Sequence, residues 1–455
     1  MTSPQSNFET IIHGADCRST SNVGDFSEVV DIAQQLIRFD TTNNGVIEAD
    51  VETEAAHYVM DLLQEVGYQP QWIEPVKGRP NVVLRVPGKN RERGGLVVHG
   101  HLDVVPAVAE DWDVDPFAGE IIDGVLWGRG AVDMKNMDAM IISVLRHMAR
   151  TNYVPERDLI VAMFADEEAG GKVGAHWLVE HRPELFAGAT HAISEVGGYN
   201  TYVNGKRVYL LQTAEKGLTW YRLLARGKAG HGSQVNEDNA VTKLAQALAA
   251  IGGEKWQLQL TDTVRELLEG VSDLTGLPFD PEDPDTIDRL IDALGSAKTF
   301  VGATLRTGAN PTQLQGGYKV NVIPQTAQGG VDVRPIPGTE AEVARRIAEL
   351  AGDVQLEKIH DDAGIEFPFA GETVEAMVRA LEAEDPQAVV LPYMLSAGTD
   401  NKALARLGIQ GYGFAPVQLP PGFDFPAMFH AANERIPVES LHFGSRVLWR
   451  FLQNA

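Results

Sequence analysis

The stretch that decides the fold is Gly95-Leu96-Val97-Val98-His99-Gly100-His101-Leu102-Asp103. Its apolar first half predicts a buried strand, since both faces of a central strand are covered. In an extended chain His101 and Asp103 point to the same side. A metal-binding histidine needs a partner for its second ring nitrogen, and a carboxylate two residues on can supply one, although strand-end polar residues are also common as solvated or capping groups. We therefore consider a metal site here, and expect His99 to be hydrogen-bonded within the sheet.

Helical and extended patterns alternate around this strand. Apolar spacing predicts helices over 26–38, 51–66 and 136–149, and strands over 81–86, 95–98, 121–127 and 158–164. This alternation is typical of an α/β domain with a largely parallel sheet.

The pattern changes near residue 216. Strands predicted over 220–225, 318–322 and 329–333 and helices over 240–251 and 339–350 indicate a small α+β domain. We expect a loose tail at 1–25, an α/β domain at 26–215 and 367–455, and an inserted domain at 216–366. Residues 252–300 are predicted to be a helical insertion that enlarges this inserted domain.

Composition limits the partners and the location. The 455 residues include 38 Lys and Arg against 63 Asp and Glu, a formal charge of −25. That field repels nucleic acid and anionic membranes, so neither is an expected partner. The only cysteine, Cys17, excludes an intramolecular disulfide and a thiolate zinc site. Neither a signal peptide nor a membrane span is recognisable, so a cytoplasmic location is expected.

Further acids and a histidine follow predicted strands or lie in loops. They are Asp133, the run Asp166-Glu167-Glu168, Glu195 and His430. Taken singly, Asp133 could cap the next helix and the acidic run could be an exposed turn. Together with His101 they predict a metal site, because adjacent acids repel one another unless a cation is close.

Two glycine-rich motifs fail as nucleotide sites. In Gly128-x-Gly130 the third glycine position is taken by Asp133, whose charge would repel a pyrophosphate. Gly170-Gly171-Lys172 lacks the Ser or Thr of a phosphate loop. The broken glycine fingerprint argues against a nicotinamide-dependent oxidoreductase.

Six segments, in order, resemble the acetylornithine deacetylase, succinyl-diaminopimelate desuccinylase and glutamate carboxypeptidase family of di-zinc metallohydrolases, with its aminoacylase and dipeptidase relatives. They are 100–106, 128–135, 166–168, 228–233, 398–400 and 430–434. The resemblance implies a mixed-sheet, three-layer α/β catalytic domain interrupted by a smaller α+β lid and dimerisation domain. It implies a two-metal amidohydrolase acting on a small N-acyl amino acid, dipeptide or short peptide with a free carboxylate.

The resemblance also assigns roles at the metal site. Two Zn²⁺ ions, or Co²⁺ or Mn²⁺ in their place, are implied, one held by His101, Asp133 and Glu195 and the other by Asp133, Glu168 and His430. Asp103 would orient His101. Glu167 would be the general base that takes a proton from a water held between the metals and passes it to the leaving amine.

The lid, residues 216–366, is implied to complete the site. His231 would stabilise the oxyanion, often across a homodimer. Asn321 and Arg334 would grip the substrate's carboxylate, and Gly398 would lie against its backbone. A surface ion pair is the alternative for Arg334. The apolar loop 416–426 would line an acyl pocket or be a stiff connection.

Two rival functions stay open beside this one. A non-catalytic metal-binding member of the fold should lack a ligand or the base, and none is missing. An aminopeptidase acting on free N-termini would use an acid for the ammonium group in place of Arg334.

Overall fold

The computed structural model describes residues 24–455, so nearly all of the predicted tail, Cys17 included, lies outside the described residues. No helix in this part of the chain has the length and apolar character needed to cross a bilayer. The α-helices are α1 (Val29–Arg38), α2 (Thr53–Glu65), α3 (Lys135–Arg150), α4 (Ala175–His181), α5 (Ala240–Gly252), α6 (Asp262–Thr275), α7 (Pro284–Asp292), α8 (Lys298–Gly302), α9 (Glu340–Ala351), α10 (Glu372–Glu384), α11 (Asn401–Ala405) and α12 (Val438–Asn454).

The strands fall into one large sheet and three smaller ones. They are β1 (Gln71–Ile73), β2 (Asn81–Val86), β3 (Gly95–His101), β4 (Ile121–Ile122), β5 (Val125–Trp127), β6 (Leu159–Phe164), β7 (Ala189–Ser194), β8 (Tyr199–Val203), β9 (Lys206–Glu215), β10 (Leu218–Arg226), β11 (Gly230–His231), β12 (Gly308–Gly316), β13 (Val322–Ile323), β14 (Thr326–Arg334), β15 (Gln355–Asp362), β16 (Ile365–Glu366), β17 (Val389–Leu395), β18 (Gln410–Gly413) and β19 (Arg435–Pro437).

The large sheet has ten strands in the order β1-β2-β6-β3-β7-β18-β9-β16, with β8 and β17 also paired to β9. Strand β3 is parallel to β6 and β7, whereas β2 is antiparallel to β6. Every residue of β3 and β6 is buried, as expected for central strands with helices on both faces. The predicted mixed-sheet α/β fold is therefore confirmed.

Side chains alternate between two cores across this sheet. Val98 packs in the larger core with α1, α2, α3, α10 and α12, whereas Val97 packs in a smaller core with α4 and α11. The period of two in a strand explains this division. The sheet is thus the middle of three layers. The helices cover its two faces but not the ends of its strands, where a site can form.

A four-stranded antiparallel sheet, β12-β14-β10-β15, forms the centre of the lid. Helices α5 and α9 cover one face of this lid sheet and enclose a core of their own. Strand β9 of the large sheet leads directly into β10, and β15 leads back into β16, so the lid is an insertion in the catalytic chain.

The helical insertion packs on the large core and not on the four-stranded lid sheet. The apolar residues of α6, α7 and α8, among them Leu267, Leu290 and Val301, belong to the large catalytic core, and α6 lies on β17. The prediction that residues 252–300 enlarge the lid is wrong for these helices. The apolar spacing of these helices predicts that one face of each is buried, but it does not specify which sheet that face packs on.

We expect Leu267→Ala to destabilise the protein by about 2–5 kcal/mol, because Leu267 is fully buried and its loss leaves a cavity in the large core. Urea denaturation measures the change. Leu314→Ala is the matched control, since Leu314 on β12 is 63% exposed and its loss should alter the unfolding free energy by no more than about 0.5 kcal/mol. Equal effects of the two changes would contradict the packing of α6 on the catalytic core.

Candidate metal centre

The predicted site residues gather at one edge of the large sheet. His101 ends β3, Glu167 and Glu168 begin the turn after β6, and Glu195 follows β7. Because these three strands are parallel, their carboxyl ends meet at the same edge. Loops add Asp133, just before α3, and His430. Six side chains from five separate segments of the sequence therefore form one cluster.

Asp133 lies at the centre of this cluster. Its Oδ1 is 3.2 Å from His101 Nε2, and its Oδ2 is 3.3 Å from His430 Nε2. Glu195 Oε2 lies 3.6 Å from the same nitrogen of His101, and Glu168 Oε2 lies 3.2 Å from that of His430. Asp133 makes no capping hydrogen bond to α3, so the capping alternative is wrong. The aspartate therefore offers one oxygen to each of two histidine–carboxylate pairs.

The electrostatics of the cluster favour a bound cation. Burial and the neighbouring Asp133 raise the pKa of Glu195 to about 8 and raise that of Glu168 as well. Burial, together with Glu195, raises the pKa of Glu167 well above its usual value. Hydrogen bonds to Asp133 and Glu168 raise the pKa of His430 to about 10. The cluster thus stabilises positive charge on His430 and disfavours the negative charges of its three glutamates, whereas the two histidines lower the pKa of Asp133.

The donor set fits a divalent metal. Glu168 Oε1 is buried and has no hydrogen-bond partner among the described residues, so one carboxylate oxygen is free to act as a ligand. Ligand atoms of His101, Asp133 and Glu168 lie within 4.8 Å of one another, and so do those of His101, Glu167 and Glu195. Imidazole and carboxylate ligands suit zinc. Glu167 belongs to the second of these groups, so its distance from His101 and Glu195 fits a metal ligand as well as a base.

Asp103 supports the site through two different groups. Its backbone carbonyl oxygen accepts the hydrogen bond from His101 Nδ1 at 3.0 Å, while its carboxylate is 3.6 Å from that nitrogen. The carboxylate accepts from the backbone N–H groups of Glu167 and Glu168, each at 3.1 Å. Orientation of His101 therefore comes mainly from the carbonyl, and the carboxylate fixes the turn that carries the two glutamates. This corrects the role predicted for the Asp103 carboxylate.

Two supports were missed by the sequence reasoning. The fully buried Arg79 forms a bidentate pair with Glu52, at 2.7 Å for both contacts, and lies 3.2 Å from Asp166. Asp166 thus has a cation from the protein itself and does not belong to the metal cluster. No local motif marks this contact, because Arg79 and Glu52 come from separate loops.

The second missed support is Glu434. Its carboxylate accepts hydrogen bonds from the backbone N–H groups of Gly130, Val132 and Asp133 and pairs with Arg129 at 2.8 Å. These contacts shape the loop that presents Asp133. The motif that contains His430 also contains Glu434, and this proximity in sequence was the one available signal.

A cavity of about 150 Å³ opens beside the cluster. It is lined by Glu167, Glu168, Gly170, His176, Leu218, Trp220, Arg334, His360, Asp362, Ala397, Gly398, Thr399, Asp400, Lys402 and His430. Both the catalytic sheet and the lid therefore contribute to its walls. Among the substrate-binding candidates, Arg334 and Gly398 line this cavity.

Arg334 is also part of an ion pair. Its Nε and Nη2 donate to the two carboxylate oxygens of Asp332 at 2.7 and 3.0 Å. Arg334 Nη1 has no hydrogen-bond partner among residues 24–455, so three of the five guanidinium N–H donors, two of them on Nη1, are not used by Asp332. The ion-pair alternative is therefore present without removing the capacity to bind an anion.

His231 and Asn321 lie apart from the metal cluster. The two segments that carry them pair as β11 and β13, and Gly232 donates its N–H to the carbonyl oxygen of Asn321 at 2.9 Å. Both side chains are outside the cavity lining, and His231 is exposed. The structure thus brings these two residues near each other but not into the site of the same chain.

His99 is a sheet residue, as expected. Its Nε2 lies 2.9 Å from Asn401 Oδ1, and the side chain is buried. Burial lowers the pKa of His99 to about 4, so the ring is neutral and contributes no charge to the cluster.

Comparison with known proteins shows the family of the chain. The family model for peptidase family M20/M25/M40 matches residues 97–454. Mouse aminoacylase-1 is 26% identical over 398 residues, which cover 84% of this chain and 85% of the relative. The M20 metallo-carboxypeptidase Sso-CP2 of Sulfolobus solfataricus superposes with a TM-score of 0.73 at 17% identity, covering 94% of this chain and 99% of that one.

A third similar protein is YXEP of Bacillus subtilis, described as a dinuclear metal-binding peptidase from the M20 family. It superposes with a TM-score of 0.59 at 14% identity and covers 94% of this chain and 97% of its own. The narrower resemblance to acetylornithine deacetylases and glutamate carboxypeptidases stays a prediction. Since the family model spans well over half of the chain, the protein belongs to peptidase family M20/M25/M40 and is a hydrolase that acts on amide bonds.

Proposed function

We propose that the protein is a two-metal amidohydrolase that cleaves an N-acyl amino acid, dipeptide or short peptide bearing a free carboxylate. The observation that carries this proposal is the position of Asp133, which offers one oxygen to each of two histidine–carboxylate pairs. The likeness to aminoacylase-1 and to a metallo-carboxypeptidase supports the substrate class.

Two Zn²⁺ ions, with Co²⁺ or Mn²⁺ as substitutes, are the proposed cofactors. His101, Asp133 and Glu195 would hold one, and Asp133, Glu168 and His430 the other. The contacts of 3.2–3.6 Å between these side chains support this division. When bound, the pair would polarise the amide carbonyl and lower the pKa of water. The dinuclear description of the Bacillus subtilis peptidase agrees with this count.

Glu167 is the proposed general base. It is half-buried in the cavity wall, and its backbone N–H donates a hydrogen bond to the Asp103 carboxylate. The Glu167 carboxylate takes the proton from the attacking water and then gives it to the nitrogen of the leaving amine as the C–N bond breaks. Its raised pKa suits a group that must both accept and donate a proton near neutral pH.

Arg334 of the lid and Gly398 of the α/β domain supply the proposed substrate contacts. The free Nη1 of Arg334 would bind the substrate's carboxylate, and Gly398 would lie against its backbone, where a Cβ would meet Lys402 Nζ at 2.3 Å. The cavity beside the cluster would take the part of the substrate that bears the carboxylate. These contacts make a small N-acyl amino acid or dipeptide the preferred substrate.

A second copy of the chain would complete the site. His231 and Asn321 lie in residues 230–235 and 318–323, which pair through β11 and β13 and which we call the arm. Its exposed apolar side chains include Val235 at 95%, Tyr318 at 82% and Val320 at 105% of their reference areas. Apolar side chains this exposed are typical of an association surface. We therefore propose a homodimer through the lid, in which the arm of one subunit brings His231 and Asn321 to the cavity of the other.

We expect Glu167→Gln to lower kcat by about 10²–10⁴-fold while both metals stay bound, because the amide cannot accept the proton. The adjacent Glu168→Gln is the matched comparison and should lose metal, since it removes a ligand. Elemental analysis and the hydrolysis rate of a panel of N-acyl amino acids and dipeptides, with and without a chelator, measure both effects. Loss of a metal from Glu167→Gln would assign this glutamate as a ligand, and normal turnover would contradict its role as base.

We expect Arg334→Ala to raise KM for substrates with a free carboxylate by roughly 10- to 100-fold, as for a lost hydrogen bond between charged groups. The same N-acyl amino acids with a carboxamide in place of the carboxylate should show little change. Steady-state kinetics on the paired substrates measures this difference. Wild-type enzyme that hydrolyses only peptides with a free amino group, regardless of the carboxylate, would favour the aminopeptidase alternative.

A further inference from the structure

A continuous group of aromatic rings lies behind His430. Phe300 on α8 meets Phe429 edge-on with 5.7 Å between ring centroids. Phe429 meets Phe425 at 5.2 Å, and Phe425 meets Tyr199 at 5.0 Å. We call these four residues the aromatic brace. It links the helical insertion to strand β8 of the large sheet through the residue directly before His430.

Other contacts place the insertion firmly on the same sheet. The Oγ1 of Thr201, on β8, donates to the backbone carbonyl of Leu294 at 2.9 Å. Leu294, Ala297 and Val301 are buried in the large core on either side of Phe300 in the sequence. Phe300 is thus held against the large core by its neighbours in the sequence. Its aromatic contact in residues 425–434, the loop that carries His430, is Phe429.

His430 needs support of this kind. Its backbone φ is +58°, a conformation that is unfavourable for a residue with a Cβ. Its side chain is 57% exposed, and its polar contacts are with the carboxylates of Asp133 and Glu168. Packing around the ring therefore does little to fix the imidazole, in contrast to His101, whose side chain is 1% exposed.

The loop is fixed at its other end by polar contacts. Asn433, also at positive φ, donates through Nδ2 to Asp113 at 3.0 Å, and Glu434 is bound to the loop of Asp133. His430 therefore lies in a tight bend, with the aromatic brace on its N-terminal side and the contacts of Asn433 and Glu434 on its C-terminal side. Removal of either anchor would let the bend relax.

We propose that Phe300 is a positioning residue for the metal centre: by packing on Phe429 it holds His430 in the strained conformation that aims its Nε2 at Asp133 and Glu168. The helical insertion thereby acts on the reaction from the catalytic side rather than through the lid. This inference rests on the two-metal function proposed above. It assigns to Phe300 no contact with substrate or metal.

The test compares three variants with wild type. Phe300→Ala removes the ring contact, and Phe300→Leu keeps most of the apolar volume. Phe279→Ala is the matched control, because Phe279 lies in the same insertion and packs on the same core, yet has no aromatic contact with any residue in 24–455. Metal-free protein is titrated with Zn²⁺ in competition with a chromophoric chelator, which reports the affinities of the two sites without reference to activity.

We expect Phe300→Ala to weaken one zinc site by about 10- to 100-fold, the range for loss of a group that orients a metal ligand, while the other site is unchanged. Phe300→Leu should restore most of the affinity, and kcat of Phe300→Ala should recover in excess Zn²⁺. Wild-type affinity at both sites of Phe300→Ala would overturn the proposal, as would an equal loss in Phe279→Ala. Wild-type protein that binds no zinc would instead refute the two-metal function.

A second measurement does not depend on metal. Hydrogen exchange of the metal-free protein should be faster over residues 426–434 in Phe300→Ala than in wild type or Phe279→Ala, because the loop loses its anchor. Unchanged exchange over this segment would overturn the proposed brace whether or not zinc binds.

Discussion

The repulsion among buried carboxylates at one edge of the large sheet is the constraint on which the site depends. The protein neutralises several of them with its own cations: Glu52 and Asp166 share Arg79, Glu434 pairs with Arg129, and Glu215 lies 3.2 Å from Lys402. The cluster of Asp133, Glu167, Glu168 and Glu195 has only two histidines. This contrast separates acids that pair within the protein from the acids of the proposed metal site, since a buried carboxylate without a partner is strongly disfavoured.

The structural acids in turn position the acids of the site. Asp103 holds the backbone of Glu167 and Glu168, and Glu434 holds that of Asp133. Each contact joins segments that are far apart in the sequence. The geometry of the cluster is therefore set by carboxylate–amide hydrogen bonds one layer away from the site, which keep adjacent like charges from moving apart.

Features with a local signal could be predicted from the sequence. The apolar run that ends at His101 indicated a central strand, and the mixed α/β fold is confirmed. His99 lies on this strand as expected, but its side chain bonds to Asn401 on α11 and not within the sheet. Features that depend on long-range packing could not. The apolar faces of α6–α8 did not reveal which core they join, and the strand expected over 318–322 is mostly an exposed turn, while β12 (Gly308–Gly316) carried too few apolar residues to be recognised. No sequence motif marked Arg79 as a support of the site, because its partners Glu52 and Asp166 lie on other loops.

The two halves of the cluster differ in their surroundings, and this difference follows from where their histidines sit. His101 belongs to a central strand and is excluded from water, whereas His430 stands on a loop at the cavity wall. Charge interactions are stronger in the dry half and more strongly screened in the open half. Burial and the hydrogen bond to the Asp103 carbonyl therefore hold the first histidine. We propose that the second depends on backbone geometry and on the aromatic rings that pack on Phe429. If Phe300 positions His430 as proposed, an insertion that lies outside the cavity lining acts on the site through the shape of the loop rather than through the chemistry of a side chain.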